Sequence, residues 1–126
     1  MNKINLASKL ALFADHWNPR IIGDLNENHI KLAKLQGDFI WHQHEMEDEL
    51  FVVLKGKLMI DFRDGVGVDG IRTVEINTGE IIVVPKGVAH RPHAKEEVHI
   101  MLIEPKTVIN TGALENEFTR KELQRI

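Results

Sequence analysis

At 126 residues with 43% hydrophobic content, the chain has the size of one packed domain and leaves no room for a second. Sixteen basic against nineteen acidic residues give a net charge of −3 with no face-wide run of lysine or arginine, which argues against nucleic acid and anionic membrane surfaces as partners. The absence of cysteine excludes disulfides, thiolate zinc sites and cysteine nucleophiles, so any metal must sit on histidine and carboxylate.

In chain order, Leu6, Leu10, Phe13 and Trp17 fall three to four apart, the spacing of one helical face, and Pro19 ends the pattern. A short amphipathic helix within residues 1–19 is expected, packed on a larger body. From Arg20 onward the period changes to short β-branched and aromatic segments separated by Gly, Asn or Asp. The expected strands are residues 20–23, 29–36, 39–42, 49–55, 57–63, 71–76, 81–84, 89–92 and 97–104. No connection between them is long enough for a helical crossover, so they run antiparallel. Residues 54–58 look like a tight hairpin, and residues 64–70 hold three glycines for a longer loop. The fold class is all-β, a sandwich or double-sheet jelly-roll barrel over residues 20–104. Residues 105–126 read as a tail, a surface wrap or frayed helix without chemistry. The longest apolar runs, 81–84 and 100–103, are four residues each, far short of a bilayer span, and no signal-peptide pattern is seen, so a cytoplasmic location is expected.

Seven histidines occur, at 16, 29, 42, 44, 90, 93 and 99. His42 and His44 stand two apart, so on an extended segment both imidazoles point to the same face. Glu49 follows beyond the polar turn Glu45-Met46-Glu47-Asp48 and opens the next strand, whose antiparallel return carries it toward the same pocket. Later, residues 79–90 supply a strand, a Pro/Gly turn and His90. Three imidazoles and one carboxylate could then converge, a donor set that suits a divalent first-row metal and leaves positions open for water or substrate.

These residues resemble the cupin superfamily. Gly37-x4-His42-x-His44-x4-Glu49-x6-Gly56 is similar to its first motif, and Gly79-x5-Pro85-x-Gly87-x2-His90 to its second. The resemblance covers about residues 29–104 and extends to small stand-alone bacterial cupins often labelled mannose-6-phosphate isomerase-like. It implies a double-stranded β-helix barrel, with His42, His44, Glu49 and His90 as metal ligands and Gly56, Gly79 and Gly87 as turn glycines. The gap from Gly37 to His42 is one residue shorter than usual, and Ala94 holds the place of a usual Asn.

Blander roles are expected for the other candidates. His93 reads as a lumen or rim residue, His99 as a hydrogen-bonded barrel histidine, and His16 and His29 as surface or packing residues. Alternation sends Trp41 to the face opposite His42, where it packs in a core or a dimer interface. Arg91 is expected to pair with Glu96 or Glu97. Glu45, Glu47 and Asp48 read as a solvated turn, and Met46 and Met59 as filler.

The expected function is a metal-dependent enzyme acting on a small sugar- or carboxylate-like molecule, of isomerase, decarboxylase or dioxygenase type. One divalent ion, Fe, Mn, Ni, Co or Zn, polarises the substrate, and Glu49 supplies charge and a base. The second class is a binding module that uses the same ion without turnover. Covering strand edges and apolar surface points to a homodimer.

Overall fold

The computed structural model describes residues 1–126. One short helix, α1 (Leu6–Leu10), precedes seven strands: β1 (Arg20–Leu25), β2 (Asn28–Asp38), β3 (Glu49–Lys55), β4 (Lys57–Val68), β5 (Ile71–Asn77), β6 (Ile81–Val84) and β7 (Ala89–Pro105). Every ladder between them is antiparallel. One wall of the barrel has the order β1-β2-β7-β3-β6, and the other is built from β5, β4 and the start of β7. No helix is long and apolar enough to cross a membrane.

The 17-residue β7 decides the architecture. Residues expected to form two strands, 89–92 and 97–104, are one, because Ala94 and His93 stay paired to Gly37 and Asp38 of β2 while the strand bends from one wall into the other. Residues 39–42 form no strand: only His42 pairs, through a single bridge to His90. Residues 54–58 make a corner and not a hairpin, since β3 pairs with β6 and β7 whereas β4 pairs with β5 and β7. Gly56 turns that corner at φ 89°, and a Cβ there would stand 3.0 Å from the Glu97 carbonyl oxygen. The expected loop at 64–70 is mostly strand, with β4 continuing to Val68 across a register shift.

Alternation places Leu58, Ile60 and Phe62 of β4, Phe51 and Val53 of β3, and Val98, Ile100 and Leu102 of β7 in one interior cluster. The opposite face of β2 offers Leu32 to Leu10, Phe13 and Ile22, so the N-terminal segment covers a separate apolar patch outside the barrel. The helix is shorter than its periodicity predicts. Asn5 caps it through Oδ1 on the Ser8 amide at 2.9 Å. Beyond Leu10 the chain is recruited by β2: Lys34 Nζ donates to the Phe13 carbonyl at 2.6 Å, and the Trp17 amide to the Lys34 carbonyl at 3.0 Å. Trp17 takes φ 58° and turns its ring into the interior cluster, away from Leu10 and Phe13. Residues 106–126 carry no helix. They return to β1, where Ile21 exchanges backbone hydrogen bonds with Gln124 and Ile126 at 3.0 Å each.

On the outer face, Asp61 sits opposite Thr73 and Arg91 in register and accepts from Thr73 Oγ1 at 2.6 Å, Arg91 Nη2 at 2.8 Å and His93 Nε2 at 3.0 Å. The expected partner of Arg91 was Glu96 or Glu97; the cross-strand register supplies Asp61 instead. Burial works to raise this carboxyl, but the hydrogen bonds from Thr73, Arg91 and His93 outweigh it and hold it at about 2. That value is below the unfolded one of about 3.9, so the stabilisation is complete above that pH and is lost as pH falls toward 2. Asp61→Asn is expected to be less stable than the wild type at pH 7. The gap should close between roughly pH 4 and 2 in acid denaturation; a pH-independent gap would contradict this assignment.

Candidate metal centre

His42, His44, Glu49 and His90 meet inside the barrel, with one potential ligand atom from each lying within 4.8 Å of all the others. All four are buried. Each arrives by a different local device. Glu49 is inward in β3 because it is in phase with Phe51 and Val53. His90 is inward in β7, in phase with Pro92 and Ala94. His42 and His44 lie on an irregular segment that keeps extended alternation: both are buried, with Gln43 between them half-buried. The segment is held to its neighbours by the backbone. His42 and His90 exchange N–H···O bonds of 3.0 and 2.8 Å, and the Gly87 amide donates to the His44 carbonyl at 2.7 Å. Glu49 therefore reaches the site through β3 beside β6 and β7, not through a strand at 39–42.

The donor atoms are prepared for a cation. The Nδ1 atoms of His42 and His90 face the Ile40 and Val88 carbonyls at 3.0 and 2.8 Å. A carbonyl only accepts, so each Nδ1 carries the proton and each Nε2 keeps its lone pair. Burial and the neighbouring His90 push the His42 imidazole down to about 4, so it is neutral at physiological pH. His44 Nε2, His90 Nε2 and Glu49 Oε1 are buried without a hydrogen-bond partner. Glu49 Oε1 lies 2.8 Å from His44 Nε2 and 3.3 Å from His90 Nε2, yet neither contact has hydrogen-bond geometry. Buried polar atoms left this way are costly, and a divalent ion with N/O preference satisfies all of them together.

A second carboxyl completes the interior. Glu104, in phase with Ile100 and Leu102 in β7, faces Glu49 and accepts from Lys31 Nζ at 2.7 Å. Both members of that pair are about 3% exposed. Burial and the charge on Glu49 raise the Glu104 carboxyl well above the carboxylate range, against the pull of Lys31. Burial also works to raise Glu49, but its contacts with Glu104, His44 and His90 hold it well below. The contact between the two carboxyls therefore pushes them in opposite directions, and Glu104 Oε2 is itself buried without a hydrogen-bond partner. Sequence inspection passed over Lys31 and Glu104. Their signal was strict alternation: Lys31 is in phase with the apolar Ala33 and Leu35, as Glu104 is with Leu102.

Beside the quartet lies a cavity of about 50 Å³, with His42, Glu49 and Glu104 on its wall among mostly apolar residues. The C-terminal tail supports residues 42–44 from behind. Gly112 sits at φ 64°, and a Cβ there would collide with the Gln43 carbonyl oxygen, between His42 and His44. Gly112→Ala is expected to displace residues 42–44, destabilising the fold by about 1–3 kcal/mol and weakening metal uptake, read by thermal melts with and without added metal. Metal uptake equal to the wild type would contradict the coupling.

The remaining candidates lie elsewhere. His93 binds Asp61, while His16 and His99 both bind Glu97, at 2.7 and 2.8 Å. His29 is 3.7 Å from Asp24. Trp41 faces away from the site under the Arg63 guanidinium, 4.3 Å from its ring centre. Met46 is exposed, and Asp48 accepts from the Lys86 amide at 2.9 Å.

Comparison with known proteins agrees with this architecture. The uncharacterized protein YdbB of Bacillus subtilis (strain 168) is 33% identical over 85 residues, covering 68% of this chain and 70% of its own. A cupin-2 domain containing protein from Shewanella frigidimarina NCIMB 400 is 46% identical with a TM-score of 0.75, over 82% of this chain and 94% of that one. Protein NMB1881 from Neisseria meningitidis is 35% identical with a TM-score of 0.72, over 83% of this chain and all (100%) of its own. A family model for the cupin domain matches residues 28–104, the stretch that runs from the start of β2 to the penultimate residue of β7 and holds the whole quartet, and the chain belongs to the cupin family.

Proposed function

We propose that this cupin is a metal-dependent enzyme whose ion is held by His42, His44, Glu49 and His90, and whose small-molecule substrate enters the adjoining cavity. The observation that carries this reading is the set of orphaned atoms, His44 Nε2, His90 Nε2 and Glu49 Oε1, brought together next to a cavity whose wall holds Glu49 and His42. A bound divalent ion would supply Lewis acidity toward a substrate oxygen. The chain's own residues supply the rest. His42 and His90 are oriented by their Nδ1–H bonds to backbone, and Glu49 contributes negative charge. Glu49 and Glu104 both stand on the wall of the cavity and are the carboxyls placed to handle a proton there.

The test is metal analysis of untagged protein, followed by a screen for turnover of small molecules by the loaded form. Near-stoichiometric Fe, Mn, Ni, Co or Zn with metal-dependent product formation is the expected result. A chain that binds none of the five sinks the reading. Saturable ligand binding with no product under any metal favours the non-catalytic module instead. The homodimer would use β6, an edge strand exposing Ile81 and Val83. Sedimentation equilibrium should give twice the chain mass, and a monomer at micromolar concentration would remove that expectation.

A further inference from the structure

The quartet side chains are shut in, from 1% exposed at His90 to 6% at His42. The cavity beside them measures about 50 Å³, roughly a third of the ~150 Å³ that takes one small ring. A substrate of even that size needs one wall of the site to move.

Most of the walls are fixed. The faces supplied by β2, β3 and β7 are held in ladders. His42 and His44 are tied by backbone bonds to His90 and Gly87. Trp17 is held twice to β2, by its amide on the Lys34 carbonyl at 3.0 Å and by Nε1 on the Gln36 carbonyl at 2.9 Å.

The C-terminal tail is attached differently. It contributes Asn110 to the cavity wall, and the Phe118 ring lies against Phe39 and Trp17 at centre distances of 5.2 and 6.4 Å. Yet apart from the turn bond of the Val108 amide to Pro105, every hydrogen bond and ion pair of residues 107–123 stays inside that segment. Asn110 donates to the Phe118 carbonyl and accepts from the Arg120 amide, both at 2.8 Å. Thr111 Oγ1 meets the Leu114 carbonyl at 2.6 Å and Thr119 Oγ1 at 2.8 Å.

Only the ends of the segment are pinned, and they are pinned close together. The Lys106 amide donates to the Glu27 carbonyl, and Gln124 and Ile126 bond to Ile21, all at 3.0 Å. Asp24 faces both ends, 3.9 Å from Lys106 Nζ and 3.2 Å from Arg125 Nη1. A compact loop with neighbouring ends and its own internal bonds can swing without breaking a hydrogen bond to the barrel. Hollows of about 200 and 320 Å³ already separate it from residues 41–47, one reaching His44 and the other His42.

We propose that residues 107–123 are a lid, latched by Phe118, that lifts as one unit about its pinned ends and opens the quartet to small molecules. That the molecule admitted is a substrate rests on the metal-dependent reading above.

The chain has no cysteine, so a single introduced thiol reports opening without interference. Ala33 is fully buried on the cavity wall, whereas Ala94 is buried in the interior cluster and is not on that wall. The full chain carrying Ala33→Cys or Ala94→Cys is alkylated with iodoacetamide in chelator, with and without Phe118→Ala. Rates divided by those of the unfolded chain give opening constants. Ala33→Cys is expected to open at least about tenfold more often than Ala94→Cys, with little dependence on low urea, because lifting the lid exposes far less surface than unfolding. Phe118→Ala should raise the constant at Ala33→Cys at least about tenfold and leave Ala94→Cys much less affected.

Equal constants at the two positions, both rising steeply with urea, mean that the site opens only by global unfolding and overturn the inference. No acceleration at Ala33→Cys by Phe118→Ala, or equal acceleration at both positions, overturns it too. Should Phe118→Ala not fold, Phe118→Leu takes its place with the same expected order. Hydrogen exchange of the Arg120 amide in the parent chain tests the rigid unit: an opening constant below that at Ala33→Cys supports it, and one as large means that the loop unravels and overturns it. No metal enters these measurements, so a chain that binds none leaves the lid standing, and a lid that stays shut leaves the metal site standing.

Discussion

Lys31→Met is expected to destabilise the metal-free protein by about 3–5 kcal/mol, because it removes the one cation from a buried group that keeps two carboxyls. Lys31 and Glu104 are each about 3% exposed, with Nζ 2.7 Å from Oε1. Deleting Lys31 leaves Glu49 and Glu104 facing each other without their buried counter-ion. For a domain of this size the melting temperature should fall by roughly 10–20 °C, measured in chelator so that metal does not enter the comparison. The double variant Lys31→Met/Glu104→Leu should recover much of the loss, since it replaces the pair by apolar side chains of similar volume. A single variant that melts with the wild type would show that the pair contributes nothing. A double variant no better than the single would show that Lys31 acts through packing and not through charge.

The second large effect concerns the ion. The double variant His42→Ala/His44→Ala should lose metal by at least about two orders of magnitude in affinity, more than is lost when only a supporting hydrogen bond is removed. Stability reports the same event from another side. A ligand at a hundred times its dissociation constant stabilises by about 2.7 kcal/mol, so added metal should raise the melting temperature of the wild type and leave that of the variant unmoved. The metal-free variant should not be greatly weakened, because in the wild type His44 Nε2, His90 Nε2 and Glu49 Oε1 are buried without partners, and removing one such atom relieves a cost. Equal metal content in variant and wild type would place the ion elsewhere. A variant that is unfolded without metal would mean that these imidazoles hold the barrel together through packing.

The quartet was legible before any coordinates because its signal is local. His42 and His44 keep the two-residue alternation of extended chain even though residues 39–42 form no strand. Glu49 and His90 were likewise in phase with apolar neighbours whose burial is dictated by the pleat. The antiparallel all-β barrel followed from short connections, since no segment between strands is long enough to cross over.

Errors appeared where a local pattern has two long-range outcomes. Gly56 permits either a hairpin or a corner, and pairing with β7 selects the corner. The interval at 93–96 permits either a break or a continuous strand, and the ladder to Gly37 and Asp38 makes it continuous. The periodicity from Leu6 to Trp17 permits a full helix, but the hydrogen bonds of Lys34 draw the chain off that path at Phe13 and Trp17.

Residue order alone therefore carried the fold class, the phases of most strands and the identity of the four side chains that converge inside the barrel, because each depends on spacing within a few residues. Barrel closure supplied the remainder. Lys31 and Glu104 are 73 residues apart and become partners only when β2 and β7 pair. The aromatic cluster inside the barrel forms only because Trp17, from the N-terminal segment, comes to lie against Phe39 and Phe118. These contacts join distant parts of the chain, and the choice among them is made by burial and by the need to satisfy buried charge, which no short stretch of sequence records.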